Sequence, residues 1–353
     1  MGLLRCVLTG ILATLLLAAS PAAAERIVAV GDLHGDYNAL LDIVAAAGVS
    51  DDQGHWTGGE TVFVQLGDFT DRGPESLKII RYLQGLELAA PMGGGKIVVL
   101  VGNHEAMNVT GDLRYVHPGE YAAFATRNSA KLRDRVFDEN WKAVLAQYRQ
   151  TDPKISLEGA RRRWVHETPL GMLEHRQVWK PSGEIGRWIS ARPAIVKIDD
   201  TLFAHGGISV EFAAQRIEDI NADISTKLAS GDTSPNSILT DDLGPLWYRG
   251  NIFRDPVKTS VAGEALALVR PSIEEELNRV LAAYEARRLV IAHTPSPAGI
   301  VASHEGSLVR IDTGISAYYG GVRSYLELKD GQATAWIKHG GGKWVSQLLP
   351  SPQ

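Results

Sequence analysis

Three apolar, β-branched runs in the first third of the chain stop in the same way. Arg26–Val30 runs into Gly31-Asp32-Leu33-His34-Gly35. Thr61–Leu66 runs into Gly67-Asp68-Phe69-Thr70-Asp71-Arg72-Gly73, and Lys96–Val101 into Gly102-Asn103-His104-Glu105. Short apolar runs bounded by glycine read as buried strands. Between them the spacing changes to that of helices. Asn38–Ala47 places Leu40, Leu41 and Val44 on one face and stops at Gly48. Pro74 opens a second helix with the buried stripe Leu77, Ile80, Leu83 and Leu86. Strand, loop and helix in alternation point to an α/β sheet, and such sheets collect ligands at the carboxyl ends of their strands.

The rhythm breaks over residues 106–190. That stretch is rich in Arg and Trp and carries amphipathic patterns at Glu120–Arg127, Asn140–Tyr148 and Arg161–Trp164, with no clear strand. It reads as a helical insertion, either covering a site or serving as scaffold. Ala194–Ile198 and Thr201–Ala204 form a hairpin around Asp199-Asp200 that ends at His205-Gly206-Gly207, and a mainly helical stretch follows to about Thr240. Ser272 and Glu275 make a capping box for a helix with Ile273, Leu277, Val280, Leu281 and Tyr284 on one face. Leu289–Ala292 is a strand ending at His293, and Leu308–Ile311, Ser324–Leu328 and Ala333–Ile337 follow as strands. With no internal repeat or second boundary, the expectation is one domain over residues 25–349.

Residues 1–24 stand apart. Arg5 precedes a nearly apolar Val7–Ala19, and Pro21-Ala22-Ala23-Ala24 offers small residues for cleavage, the pattern of a secretory signal peptide. The other reading, a membrane anchor, needs an apolar run of about 20 residues, and this one is shorter. Cys6 is the only cysteine and falls inside this leader, so the mature chain carries no thiol. The expected address is the bacterial periplasm, with no stable membrane insertion after cleavage. A net charge of −5 lacks the basic face that a nucleic-acid partner requires.

Asp32, His34, Asp68, Asn103, His205 and His293 share one placement, directly after a strand. One such residue is ordinarily a turn residue; six, flanked by glycine or another functional group, make a metal site. Two divalent cations about 3.5–4 Å apart need a bridging carboxylate, and Asp68, alone at the start of its loop, suits that role. Asp32 and His34 join it on one metal, and Asn103, His205 and His293 hold the other. Mixed oxygen and nitrogen ligation suits Mn, Fe, Zn or Co better than Ca, with Mn the first expectation. A hydroxide between the metals would attack a phosphate ester. His104 would protonate the leaving oxygen, Asp71 would orient His104, and Arg72 would offer a planar fork to phosphate oxygens. A structural salt bridge from Arg72 to Glu105 is the competing reading.

These motifs, in this order, together with Ala292-His293-Thr294-Pro295, resemble the calcineurin-like metallophosphoesterases. Asp71-Arg72-Gly73 is similar to the PPP-type protein phosphatases. Gly111-Asp112-Leu113-Arg114-Tyr115 and Leu246-Trp247-Tyr248-Arg249-Gly250 resemble the Shewanella-like, bacterial-type branch. The resemblance implies a central double β-sandwich flanked by helices, a dinuclear centre and phosphomonoesterase activity. It also implies a second phosphate-binding arginine at Arg249. Two departures stand out. Many relatives end with Gly-His-x-His, whereas position 295 is Pro, which leaves His293 alone and follows the protein-phosphatase pattern. Thr70 stands where a hydrophobic residue is usual.

The leading expectation is an exported metal-dependent phosphatase acting on phosphoproteins or small phosphomonoesters. Hydrolysis of a nucleotide, such as a dinucleoside polyphosphate, is the alternative; a non-catalytic binding module would be expected to lack a ligand, His104 or Arg72. Tyr318 or Tyr319 either closes over the phosphate or belongs to a packed turn.

Overall fold

The computed structural model describes residues 26–51, 53–254, 258–261, 264–267, 270–340 and 342–352, with backbone alone at 258–261 and 264–267. The leader expected over residues 1–24, and Cys6 with it, lies outside the described residues. No described helix is long and apolar enough to cross a membrane.

The alternation read from the first third is present. β1 (Arg26–Val30), α1 (Tyr37–Ala46), β2 (Val62–Gln65), α2 (Ser76–Ala89) and β3 (Lys96–Val99) succeed one another, and the three strands pair in parallel. Asp36 caps α1 by accepting from the Ala39 amide at 2.9 Å. Pro74 does not open the second helix. The Glu75 amide is bound by the Gly35 carbonyl at 3.2 Å, so the chain stays tied to the first site loop and turns helical only at Ser76.

Residues 103–190 form α3 (Asn103–Thr110), α4 (Pro118–Phe124), α5 (Ser129–Arg149), α6 (Leu157–Glu167), α7 (Met172–Trp179) and α8 (Glu184–Ser190), with no strand among the described residues. Phe137, Val144, Leu145, Tyr148 and Ala160 give α5 and α6 a small core of their own.

β4 (Ile195–Ile198) and β5 (Thr201–Ala204) make the expected hairpin. α9 (Val210–Ala213) and α10 (Ile217–Ser230) follow; α10 stops at left-handed Gly231, so turns replace helix before Thr240. The hairpin β6 (Lys258–Val261) and β7 (Glu264–Ala267) precedes α11 (Ile273–Ala283), whose Ser272–Glu275 capping box is formed. The chain ends with β8 (Arg288–Ile291), β9 (Val301–Ser303), β10 (Leu308–Arg310), β11 (Ser324–Lys329), β12 (Gln332–Lys338) and β13 (Trp344–Leu348).

One mixed sheet runs β13-β12-β11-β1-β2-β3 and the other β4-β5-β8-β10-β9. Alternate residues of each strand point to opposite faces. Ile27, Ala29, Val64 and Leu66 of the first sheet meet Phe203, Val290, Val309 and Ile311 of the second in one buried layer. Val28, Val30, Phe63, Leu202, Leu289 and Ile291 face the other way, into the core shared with the helices. Both faces are covered, which is why these strands read as unbroken apolar runs. The result is an α/β sandwich of two mixed sheets flanked by helices.

Candidate metal centre and active site

In each sheet the parallel strands end side by side. β1 delivers Asp32 and His34, β2 delivers Asp68, and the chain leaving β3 delivers Asn103 at the start of α3. From the second sheet β5 delivers His205 and β8 delivers His293. Asp68 belongs to two clusters whose donor atoms all lie within 4.8 Å of one another: His34, Asp68 and His104, and Asp68, His205 and His293. Asp68 Oδ2 lies 3.2 Å from His205 Nε2 and 3.9 Å from His104 Nε2. His205 Nε2 also meets Asn103 Oδ1 at 3.0 Å. Asp32 lies 3.8 Å from His34 Nε2 and 3.9 Å from His205 Nδ1, between the two groups of histidines.

The imidazoles are prepared for ligation. The Nδ1 atoms of His34 and His205 face the carbonyls of Thr70 at 3.0 Å and Leu66 at 2.8 Å, which fixes each ring with Nε2 turned toward the carboxylates, and Asp68 outweighs burial to raise His205. His293 Nε2 is buried without any hydrogen-bond partner. Burial pushes His34 down to about 3, and burial with the neighbouring His205 and Arg249 charges holds His293 far below the imidazole range. Both rings are therefore neutral donors. Asp32, by contrast, is pushed up by burial and by the carboxylates of Asp312 and Asp68. Carboxylates crowded beside unprotonated imidazoles and an unpartnered buried nitrogen form a donor set that divalent cations would satisfy, so the residues present fit a dinuclear centre.

The loops carrying these groups are strained. His34, Asp68, Asp71, Arg72 and His293 all hold positive φ angles, between 41° and 67°. Non-glycine residues adopt that region at a cost of about 1–3 kcal/mol each, and only a surrounding structure that over-determines them keeps them there. Glu105 is one such constraint. Its fully buried carboxylate accepts from the amides of Asp68 at 2.8 Å, Phe69 at 3.0 Å, Thr70 at 3.2 Å and Gly102 at 2.9 Å. Burial and the adjacent Asp68 raise it to about 7. Glu105 thus braces the Asp68 loop, which overturns the Arg72–Glu105 salt bridge. Gly102 has no Cβ because Asp68 occupies that space.

His104 Nδ1 lies 2.7 Å from Asp71 Oδ2, and Asn108 donates to Asp71 Oδ1 at 2.8 Å and to the His104 carbonyl at 3.0 Å. Burial alone would lower His104, but Asp68 and Asp71 outweigh it and the pKa is raised. Arg72 sits over the Tyr115 ring, its Cζ 3.9 Å from the ring centroid, and donates to the Tyr318 hydroxyl at 3.1 Å, while its buried Nε has no partner. Tyr319 stands 5.3 Å from the His34 ring, between centroids.

Asp32, His34, Asp68, Arg72, Asn103, His104, Arg249 and His293 line one cavity of about 90 Å³, together with Tyr115, Trp247, Pro295 and Tyr319. His205 and Asp71 stand behind it, in contact with Asp68 and His104. Tyr115 is the residue of the 106–190 stretch that reaches this lining. The sequence marks neither Glu105 as a brace nor Asn108 and Asp312 as members of the centre, although Asp312 opens a late loop that the family resemblance sets near the site's rim. The buried Asp312 carboxyl faces Asp32, is raised to about 6 by burial, and keeps one oxygen unpartnered. Its position directly after β10 repeats the strand-end signature of the other six.

Residues 25–337 match the calcineurin-like phosphoesterase family. The chain is 29% identical over 309 residues to Shewanella-like protein phosphatase 2 of Arabidopsis thaliana, covering 83% of this chain and 72% of that protein. It is 26% identical over 316 residues to Shewanella-like protein phosphatase 1 of Plasmodium berghei, covering 86% and 72%. The solved cold-active protein-tyrosine phosphatase of a psychrophilic Shewanella shares the fold, with a TM-score of 0.64 at 24% identity over 93% of this chain and 81% of that one.

Proposed function

This chain belongs to the calcineurin-like phosphoesterase family, and from that premise we propose that it is an exported phosphatase for phosphoprotein monoesters. The observation that carries the reading is a single cavity lined by six candidate ligands or catalytic groups and two arginines, with Asp68 common to both donor clusters. Asp32, His34 and Asp68 would hold one cation, and Asp68, Asn103, His205 and His293 the other, with Mn the first choice. Two cations supply Lewis-acid charge stabilisation and a water of lowered pKa.

The remaining work falls to side chains. The substrate phosphoryl group lies between the Arg72 fork and Arg249. Arg72 is held against the Tyr115 ring and by the Tyr318 hydroxyl, so a bidentate contact costs it little orientational freedom. His104 Nε2 carries the proton for the leaving oxygen. Asp71 accepts from Nδ1, which fixes the ring and favours its protonated form. Asn108 holds the other Asp71 oxygen and so keeps that carboxylate in line.

A substrate-class screen tests this. The metal-reconstituted chain should hydrolyse phosphotyrosine or phosphoserine peptides faster than nucleotides; preferential cleavage of a nucleoside polyphosphate would refute the phosphoprotein reading. Export and cleavage after Ala24 belong to the same proposal. N-terminal sequencing of the protein from a periplasmic fraction should begin at Glu25, and an intact leader on cytosolic protein would refute them.

A further inference from the structure

Beneath the Arg249 loop lies a charged cluster outside the metal centre. Leu277, Val280 and Leu281 of α11 are buried, and so is the carboxylate of Glu276 beside them, with 0% exposure. A buried carboxylate is tolerated only when its lone pairs are matched by donors. Glu276 Oε2 accepts from the Tyr248 hydroxyl at 2.5 Å and pairs with Arg254 Nη1 at 2.8 Å. Its Oε1 accepts from Arg270 and from the Val210 amide at 3.0 Å. Arg270 also makes a two-point contact with Glu211, at 3.0 Å on each oxygen. Two acids and two bases therefore balance. The Tyr248 hydroxyl sits at the centre, donating to Glu276 and accepting from Arg270 at 2.8 Å.

The loop is fastened on its other side to the turn that carries His205. Pro245 accepts from the Gly206 amide at 2.8 Å, and Gly206 has no room for a Cβ, which would stand 2.9 Å from the Tyr248 nitrogen. Asn251 bonds both the amide and the carbonyl of Ile208, at 2.9 and 3.1 Å. Arg249 lies between these attachments with an exposed side chain, and its carbonyl accepts from Ile252 and Phe253 at 2.9 Å. The fold thus fixes the backbone from which this arginine reaches into the cavity.

We infer that Glu276 and Tyr248 are positioning residues for Arg249, a buried clamp that sets where its guanidinium meets the phosphoryl group. The inference rests on the proposed phosphate role of Arg249. A small displacement of a substrate-orienting group weakens its contact without touching the metals or the proton donor.

Tyr248→Phe is the direct test, because it removes one hydroxyl and keeps the ring that fills the space. Losing one net hydrogen bond should raise the inhibition constant of inorganic phosphate, and KM for p-nitrophenyl phosphate, roughly three- to tenfold. The kcat should stay within about twofold and the metal content should be unchanged. In an Arg249→Ala background the same substitution should leave the phosphate inhibition constant within about twofold, since the group it positions is gone. A lower Tm with unchanged phosphate inhibition would overturn the clamp and leave a purely structural cluster. Full additivity of the two substitutions would overturn it as well. If Arg249→Ala alone leaves phosphate inhibition unchanged, the phosphate role of Arg249 falls and takes the clamp with it.

Discussion

Asp71→Asn separates the proposed proton donor, His104, from the proposed metal ligands. Asp71 is fully buried, with His104 Nδ1 at 2.7 Å on one oxygen and Asn108 Nδ2 at 2.8 Å on the other. The amide can offer an oxygen to only one of these donors. If it faces His104, its NH2 meets the Asn108 NH2. Turning Asn108 over would set its oxygen against the His104 carbonyl, which its NH2 now bonds at 3.0 Å. A hydrogen bond to a charged group is worth about 1.5–3 kcal/mol, so kcat should fall roughly 10- to 150-fold where protonation of the leaving oxygen limits the rate. The sign of the pH effect follows. Asp68 and Asp71 together raise His104, so removing Asp71 lowers its pKa, and the alkaline arm of the kcat profile should move to lower pH. The assay is kcat for a series of aryl and alkyl phosphates at fixed metal content. The loss should be small for p-nitrophenyl phosphate, whose leaving group needs little help, and grow steadily with leaving-group pKa. An equal loss on every substrate, or a parallel loss of bound metal, would refute the assignment of His104 as acid and Asp71 as its orienting base.

Asp68→Asn should act differently, because Asp68 is shared by both donor clusters. Metal affinity should fall by more than the about 10–100-fold that a ligand's outer hydrogen-bond partners cost, and activity should fall with it; undiminished metal binding by calorimetric titration would refute the bridging role. Glu120 tests burial rather than chemistry. It is 1% exposed, and burial raises its pKa from 4.5 to about 8 against the hydrogen bonds of Ser76, which pull it down. The group's stability contribution is therefore present in full below pH 4.5 and is lost as pH rises through about 8. Glu120→Gln, neutral throughout, should match the parent's Tm at pH 4 and exceed it at pH 8 by an amount equivalent to a few kcal/mol. Equal shifts at both pH values would refute this.

Much of the centre was legible because it obeys a local rule. Asp32, Asp68, Asn103, His205 and His293 each follow an apolar run at once, so strand recognition alone places them on the carboxyl edge of a sheet. What stayed hidden depends on contacts between distant residues. Glu105 reads as an acid beside a histidine, and only the folded loop shows four amides converging on it. Glu276 reads as one of three glutamates in the first turn of α11, and its burial follows from Tyr248, Arg254 and Arg270 arriving from elsewhere. Asp312 shared the strand-end placement but lacked a neighbouring motif to single it out. β13, with most of its residues exposed, and β9, only three residues long, have too little alternation to register. Pro74 misled because its fixed φ suits a helix start, while a contact with the first site loop delays that helix.

The centre joins both sheets, and that has a consequence for how the protein matures. The candidate ligands from residues 32 to 103 lie on one sheet's edge and those at 205 and 293 on the other's, so neither half alone would complete a coordination sphere. A growing polypeptide would carry Asp32, His34, Asp68 and Asn103 long before β8 brings in His293. Such a partial set has open positions and no matched partners, and would bind cations weakly and without discrimination. Tight loading would then wait until both sheets have docked. With the proposed ligand set, metal uptake would be a late event, and its rate would report the closing step of folding rather than the formation of any single strand.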